Sequence, residues 1–219
     1  RHPGAGGRGT APRTGRTRLS AASQRGYHHG DLRNALIIAA CELIEESGSV
    51  HFAMADAARR AGVSSAAPYR HFRDRDALLE AVTQLGFLGL SEAAQAAIQR
   101  TRTGSIDSIL ELGHAYLDYV SGRAAFYDLM WGDSGNRAMD AESFDRRASG
   151  FYHLTAAVDA YLAERALAQL DARTVALKLW ALVHGFSALA MSGKLTMMQP
   201  QADVHALLDS ATRSLLAGL

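Results

Sequence analysis

Apolar residues recur at spacings of three and four along most of the chain after Asp31, and this period limits the fold more than any other feature. The first such run ends at Gly48, because glycine commonly stops a helix. No stretch alternates with period two and is rich in β-branched residues, as a strand would be. The sequence therefore predicts an all-α fold. The apolar positions of the first predicted helix are Leu32, Leu36, Ala39, Ala40 and Leu43.

Clusters of Gly, Ser and Asp divide the rest of the chain into further helical segments. Asp74 is a good N-cap for a long helix, and Asp76 in its first turn complements the helix dipole. The predicted helices after the first cover residues 54–61, 65–72, 75–100, 105–121, 123–131, 141–166, 171–193 and 202–217.

The composition is that of a globular protein. The chain has 219 residues, 48% of them apolar and 21% charged, which is enough to bury a sizeable core. No run approaches the ~18 consecutive apolar residues of a transmembrane helix, and no apolar segment follows the basic N-terminus as in a secretory signal. Cys41 is the only cysteine, so an intrachain disulfide is excluded and the residue is expected in the core. We expect a cytoplasmic protein that does not contact a membrane.

The charge is distributed unevenly along the chain. Residues 1–75 hold 12 Arg and 6 acidic residues, whereas the rest holds 11 Lys/Arg and 16 acidic residues. Residues 1–26 contain six arginines and no acid, so we expect a disordered basic arm. A basic N-terminal part suits a polyanion such as nucleic acid, although a basic tail that only tunes solubility would give the same imbalance.

The stretch "GVSSAAPYRHF", residues 62–72, joins two short predicted helices through Gly62, as in a helix-turn-helix. Ser64 is a good N-cap, and Pro68 is tolerable in the first turn because N–H groups there lack intrahelical partners. In such a unit the start of the second helix enters the major groove, where Ala66 and Ala67 would allow close approach. An ordinary helical hairpin with a solvated basic face is the alternative that spacing leaves open.

Two segments resemble a known family. "FAMADAARRAGVSSAAPYRHFRDRDALLEAV", residues 52–82, is similar to the DNA-binding signature of the tetracycline-repressor (TetR) family. The preceding residues 26–48 resemble that family's first helix, and "WALVHG", residues 180–185, resembles the W-x-x-x-H-G motif of one subgroup's C-terminal domain. Ala53 departs from the pattern, because the family usually has Thr or Ser there to cap the second helix and touch a phosphate.

The resemblance implies a homodimeric transcription regulator, usually a repressor, that binds double-stranded operator DNA. It implies a three-helix helix-turn-helix domain over residues 27–76 and a larger helical domain over 77–219 that dimerises and holds a ligand cavity. We expect Ser65, Ala66 and Ala67 to read bases and the later residues to contact phosphates. The expected DNA-binding residues are Ser64, Ser65, Ala66, Ala67, Tyr69, Arg70, His71 and Arg75.

Bulky aromatic residues concentrate in the C-terminal part; simple core packing is the plainer explanation for any one of them, and a pocket wall is the alternative. Trp180 and His184 are four residues apart and share a helix face. The candidate ligand-binding residues are Tyr119, Phe126, Trp131, Trp180 and His184. With no charged cluster in this set, we expect a small apolar or aromatic effector. Gly86 and Gly89 lie inside the predicted helix 75–100 and are expected to mark a bend or a close contact.

The last two long helices carry apolar stripes that predict a four-helix dimer interface. One stripe consists of Val175, Leu179, Leu182, Phe186 and Leu189. The other consists of Val204, Leu207, Leu208, Ala211 and Leu215.

We expect no catalytic site, cofactor or metal. "GDSG", residues 132–135, matches a serine-protease segment but lacks the β-barrel that this chemistry needs. The adjacent His28 and His29 diverge by about 100° on a helix, and His114, His153 and His184 fall on different predicted helices. Two alternatives stay open: a helical enzyme or sequestering protein that binds a small molecule, and a regulator whose C-terminal domain binds a protein partner.

Overall fold

A computed structural model describes residues 32–132 and 141–219, except for the side chains of 141–144 and 146. The basic arm, His28 and His29, and most of the "GDSG" segment lie outside the described residues. Every regular element in the described part is helical, which confirms the all-α prediction. The elements are α1 (Leu32–Ser47), α2 (Met54–Arg60), a 3₁₀ helix (Ala67–Arg70), α3 (Arg75–Gln99), α4 (Ile106–Val120), α5 (Ala124–Trp131), α6 (Ala141–Ala163), α7 (Ala172–Met191), α8 (Lys194–Met198) and α9 (Val204–Ala217).

The predicted α-helix over 65–72 is wrong in type, because the structure has a 3₁₀ helix at Ala67–Arg70. Pro68 has no N–H and cannot donate to Ser64 four residues back. The Ala67 N–H donates to the Ser64 carbonyl instead, at 3.0 Å, and the bond spans three residues. Ala66 keeps right-handed helical angles (φ −85°, ψ −20°), so the segment still runs as a short helix after the Gly62 turn.

Most helix boundaries follow the capping residues. Asp74, Ser105, Asp171 and Asp203 each accept a hydrogen bond from a backbone N–H of the first turn. At Ala53, which has no side-chain acceptor, only the reverse bond forms: the Ala53 N–H donates to Asp56 Oδ2 at 3.0 Å. Helix α8 was not expected from the sequence. It exists because Gly193 adopts a left-handed conformation (φ 69°) after α7.

Ion pairs and cation–π contacts join the N-terminal elements. Arg60 on α2 donates to Glu42 and Glu46 on α1, and the Arg33 guanidinium lies 5.3 Å from the Phe72 ring centre. The hydrogen bond from Arg60 is the main cause that lowers the pKa of Glu46. Cys41 is half-buried rather than in the core, and burial raises the pKa of its thiol to about 11. The thiol is therefore protonated at neutral pH and a poor nucleophile.

Residues 33–219 form one compact unit. The boundary predicted between residues 76 and 77 falls within α3, which packs against α4, α5 and α6. One core cluster gathers Val158, Leu162 and Ala176 where α6 meets α7. A second gathers Phe87, Leu117, Met130, Val183 and Leu208 from five helices. The division into 27–76 and 77–219 therefore stays a prediction.

Two histidine–aspartate pairs join α4 to α9. His114 Nε2 lies 2.6 Å from Asp209 Oδ1, and His205 Nε2 lies 2.9 Å from Asp118 Oδ1. The two imidazole rings meet edge to face with centres 5.1 Å apart. Together these contacts hold the C-terminal helix against α4.

The apolar stripes expected at a dimer interface are partly wrong. Val175, Leu179 and Leu208 are 2–4% exposed and pack in the chain's own core, while Leu182 and Phe186 cover that core. Such stripes do not distinguish an internal contact from an external one. Of the described helices, α7 alone is long and apolar enough to span a membrane by length and composition. One side of α7 packs against both core clusters, and the other side is exposed.

Gly86 and Gly89 lie where α3 packs closely on α4 and α5. A Cβ added at Gly89 would lie 2.6 Å from the Tyr119 hydroxyl oxygen, and one at Gly86 would lie 3.0 Å from Met130 Sδ. The Tyr119 hydroxyl donates to the Gly86 carbonyl at 2.8 Å. Of the two expectations, a bend or a close contact, the structure supports the close contact.

Gly89→Ala should destabilise the fold by about 1–3 kcal/mol despite the better helix propensity of alanine, because the methyl group overlaps Tyr119. In a Tyr119→Phe background the penalty should fall, since the nearest atom is gone. Urea unfolding followed by circular dichroism measures all four members of the cycle. Gly150→Ala is the control: its Cβ would meet only Leu90 at 3.9 Å, so it should be neutral or stabilising. Equal effects of Gly89→Ala in both backgrounds would contradict the contact.

Candidate DNA-binding surface and ligand cavity

The segment after Gly62 presents its polar and small side chains to solvent and buries two anchors. Pro68 and Phe72 are buried, the latter 3% exposed. Ala67 is half-buried, and the other residues expected to touch DNA around these anchors are exposed: Ser64, Ser65, Ala66, Tyr69, Arg70 and His71. A contiguous surface of these types could approach a duplex closely and donate to phosphates.

Arg75 lies apart from this exposed set. Its Nη2 donates to the Val50 carbonyl at 2.6 Å, and its guanidinium lies 5.7 Å from the Phe52 ring centre. Its side chain is 32% exposed, against 85% for the neighbouring Arg73. In this structure Arg75 ties the start of α3 to the loop between α1 and α2. Arg73 is a further exposed cation, two residues after His71, that was not predicted from the sequence.

A cavity of about 560 Å³ lies among helices α3 to α7 and α9. Its wall is mostly apolar, as in sites for small organic molecules. Trp131 and Trp180, both expected to bind a ligand, line it with ring centres 5.8 Å apart. Other lining residues include Phe87, Leu90, Leu112, Tyr116, Met130, Phe151, Leu154, Val183 and Leu208.

His184 lies behind the two tryptophans in an aromatic cluster. Its ring centre is 4.0 Å from that of Trp180 and 4.8 Å from those of Trp131 and Tyr116. Its Nδ1 is 3.3 Å from the Tyr116 hydroxyl and 3.4 Å from that of Tyr127. Burial lowers the pKa of His184 to about 4, and burial raises the pKa values of Tyr116 and Tyr127. The cluster is therefore neutral at physiological pH.

Two of the five candidate ligand-binding residues lie elsewhere. Tyr119 is held by Gly86, as described above, and does not line the cavity. Phe126 lines a separate cavity of about 450 Å³ with Ile44 and Glu45 of α1. The structure thus brings together Trp131, Trp180 and, behind them, His184.

Two charged side chains line the cavity, where the sequence showed no acidic or basic cluster. Arg147 on α6 and Arg173 on α7 both line the cavity, and neither was predicted from the sequence. Arg147 Nη2 donates to both carboxylate oxygens of Glu80, at 3.0 and 2.8 Å. The adjacent arginines in "RR", residues 146–147, give no sequence signal for this, because only the packing of α6 on α3 shows which way Arg147 points.

The three histidines weighed above as metal ligands, His114, His153 and His184, do not converge. His153 lies 3.4 Å from the Ser91 hydroxyl, whereas His114 and His184 have the partners given above. Within the ranges 32–132 and 141–219, no three His, Cys, Asp or Glu side chains are placed to hold a metal ion.

Acid should destabilise the protein through His184. Its folded pKa lies below the unfolded value of 6.5, so the unfolded state takes up the proton first and stability falls as the pH drops from about 6.5 towards 4. Between pH 7 and 5 the loss through this residue should be about 1–2 kcal/mol. Urea midpoints at both pH values should move less in His184→Phe than in wild type. His51→Gln, at an exposed position, should lose as much stability between pH 7 and pH 5 as wild type. If His184→Phe also loses as much as wild type, protonation of His184 is not the cause of the acid destabilisation.

Comparison with known proteins agrees with this arrangement. The sequence profile described as "Bacterial regulatory proteins, tetR family" matches residues 36–82, and "Tetracyclin repressor-like, C-terminal domain" matches residues 109–215. No curated protein matches the sequence.

Solved structures of the same fold extend over nearly the whole chain. A protein of unknown function from Rhodococcus sp. RHA1 is 30% identical, with a TM-score of 0.77 over 89% of this chain and 98% of its own. The TetR family regulator PfmR from Thermus thermophilus is 18% identical, with a TM-score of 0.58 over 84% of this chain and 98% of its own. FadR from Bacillus subtilis, solved with stearoyl-CoA, is 17% identical, with a TM-score of 0.58 over 85% of this chain and 98% of its own.

The profiles cover both the residues around the exposed 3₁₀ segment and the helices around the cavity. The chain therefore belongs to the tetracycline-repressor (TetR) family, whose members are DNA-binding regulators of transcription.

Proposed function

We propose that the protein is a homodimeric repressor that binds operator DNA in the cytoplasm and is released from it by a small molecule in the cavity. One observation carries this proposal: α3 belongs to both sites. Its first residue, Arg75, follows the exposed 3₁₀ segment by five residues and braces the loop between α1 and α2, and its residues Phe87 and Leu90 line the cavity. A helix of 25 residues spans about 37 Å, so a displacement at the cavity would reach the DNA-binding end.

The DNA contact proposed here follows from the exposed segment. Ala66 has only a methyl side chain, which lets the backbone approach base edges, and Ser65 can donate or accept a hydrogen bond. Tyr69, Arg70 and His71 follow within one turn and can reach phosphates. Pro68 and Phe72 fix the segment from below because both are buried.

Affinity for the DNA upstream of the protein's own gene should fall steeply with salt. Each phosphate contact contributes a slope of about −0.9 in log K against log salt. Arg70→Ala should weaken binding and make the slope shallower by about 0.9, measured by fluorescence anisotropy from about 50 to about 300 mM KCl. Arg100→Ala, an exposed arginine at the end of α3, should leave both quantities unchanged. Salt-independent binding, or equal slopes for wild type and Arg70→Ala, would contradict the proposed contact.

The dimer contact proposed here uses the outer faces of α7 and α9, since their inner residues are occupied by the core. Ala181, Gly185 and Ala188 are exposed on α7, and Ser210 and Ser214 are exposed on α9. A Cβ at Gly185 would meet no atom of the described residues within 4 Å, so no contact among them explains this helical glycine. Small residues on both faces would let the helices of two subunits approach closely.

Ala181→Arg and Ser214→Arg should each shift the protein from dimer to monomer at micromolar concentration, because a long charged side chain would enter the contact. Sedimentation velocity measures the change. Ala156→Arg, at an exposed alanine of α6, should remain dimeric. A monomeric wild type would refute the dimer, and dimeric Ala181→Arg and Ser214→Arg variants would place the interface elsewhere.

A further inference from the structure

Arg147 is a buried cation at one end of an aromatic wall. Only 8% of its side chain is exposed, and its guanidinium lies 5.6 Å from the Phe87 ring centre. From Phe87 the wall continues to Trp131 at 4.9 Å and on to Trp180 at 5.8 Å between ring centres. An elongated molecule lying along these rings would therefore bring one end to a positive charge.

Glu80, a carboxylate that accepts hydrogen bonds from Arg147, is much more accessible than Arg147 itself. Glu80 on α3 is 39% exposed and also accepts a hydrogen bond from Gln84 Nε2 at 3.3 Å. If another anion took its place, Glu80 could be hydrated, whereas Arg147 would remain paired in the interior. A buried charge that loses its partner is costly. Exchange of one carboxylate for another keeps the Arg147 charge compensated and avoids that cost.

We propose that the cavity takes an apolar organic acid whose carboxylate displaces Glu80 from Arg147. This proposal names the ligand class for the proposed function. It rests on that function only in assuming that the start of α3 leads to the segment that binds DNA. The Glu80–Arg147 pair ties α6 to α3 five residues after Arg75, the residue that braces the loop between α1 and α2. Loss of that tie is the event that frees the first turns of α3 when the acid binds.

The other lining arginine offers a competing position for the acid. Arg173 is exposed, and its guanidinium lies 5.7 Å from the Phe151 ring centre. A carboxylate at Arg173 would be screened by water and would leave Glu80 in place. Arg147 is the better site because a charge-assisted hydrogen bond is stronger where water is excluded.

Binding can be measured without DNA, because the chain's two tryptophans, Trp131 and Trp180, both line the cavity. Tryptophan fluorescence of the full chain would be titrated with 6-phenylhexanoate and with 6-phenylhexan-1-ol, which share an apolar body and differ in charge. We expect wild type to bind the acid about tenfold or more tightly than the alcohol. Equal affinities, or no binding of either probe, would overturn the proposal.

Three variants test the exchange itself. Arg147→Gln should abolish the preference for the acid, while Arg173→Gln should retain it. Glu80→Gln removes the competing charge, so it should bind the acid several-fold more tightly than wild type. It should bind the alcohol as tightly as wild type does. This variant tests the exchange even if Arg147→Gln does not fold. Glu92→Gln, a carboxylate farther along α3, is the matched control and should behave as wild type. An unchanged acid affinity in Glu80→Gln, or a preference that depends on Arg173 alone, would refute the exchange.

The effect on α3 has its own readout. Amide hydrogen exchange of peptides covering residues 75–86 should become faster when 6-phenylhexanoate saturates wild type, and should not change with the alcohol. Unchanged exchange with the bound acid would overturn the transmission step. A protein that passes these tests but never binds DNA would contradict the proposed function and leave the ligand class standing.

Discussion

The close contact between α3 and the helices α4 and α5 is the constraint on which the rest of the structure depends. Gly86 and Gly89 have no side chains there, so Tyr119 and Met130 lie almost against the α3 backbone. Because Tyr119 also donates to the Gly86 carbonyl, the contact sets the position of α3 along α4 as well as its distance. That position puts Phe87 and Leu90 into the cavity wall and Glu80 beside Arg147. The cavity and the segment proposed to contact DNA are thus related through one helix, α3, with a defined register.

Local chemistry in the sequence was sufficient at several helix ends. Asp74 caps α3 as predicted, and Gly48 follows the first helix with a positive φ of 62°. Asp171 and Asp203 cap α7 and α9 in the same way. The 3₁₀ segment was missed because the effect of Pro68 on hydrogen bonding is small: it removes one donor, and the chain uses a three-residue bond in place of a four-residue one. Propensity and period alone do not separate these two helical forms.

Side-chain partners between distant helices could not be predicted from the sequence. Leu179 and Leu208 fit an external stripe as well as an internal one, and only the packing of α7 and α9 shows that they lie in the subunit's own core. Arg147 and Glu80 are 67 residues apart, so nothing local couples them. Trp131 and Trp180 could be proposed as a pair because large aromatic residues concentrate in walls and cores, but the separation of Tyr119 and Phe126 from them depends on which faces α4 and α5 turn inward.

Helix α7 faces the cavity on one side and solvent on the other, with adjacent residues serving each side. Trp180 and Val183 line the cavity, whereas Ala181 and Gly185 point outward. Successive residues of a helix are rotated by about 100°, so a rigid α7 cannot shift its inner side without moving its outer side. In a dimer built on that outer face, a ligand that moved α7 from within the cavity would therefore also change the contact with the partner subunit. Burial keeps His184 neutral, and this neutrality helps to hold α7 in place. A charged imidazole behind the tryptophans would draw in water and weaken the apolar packing around α7.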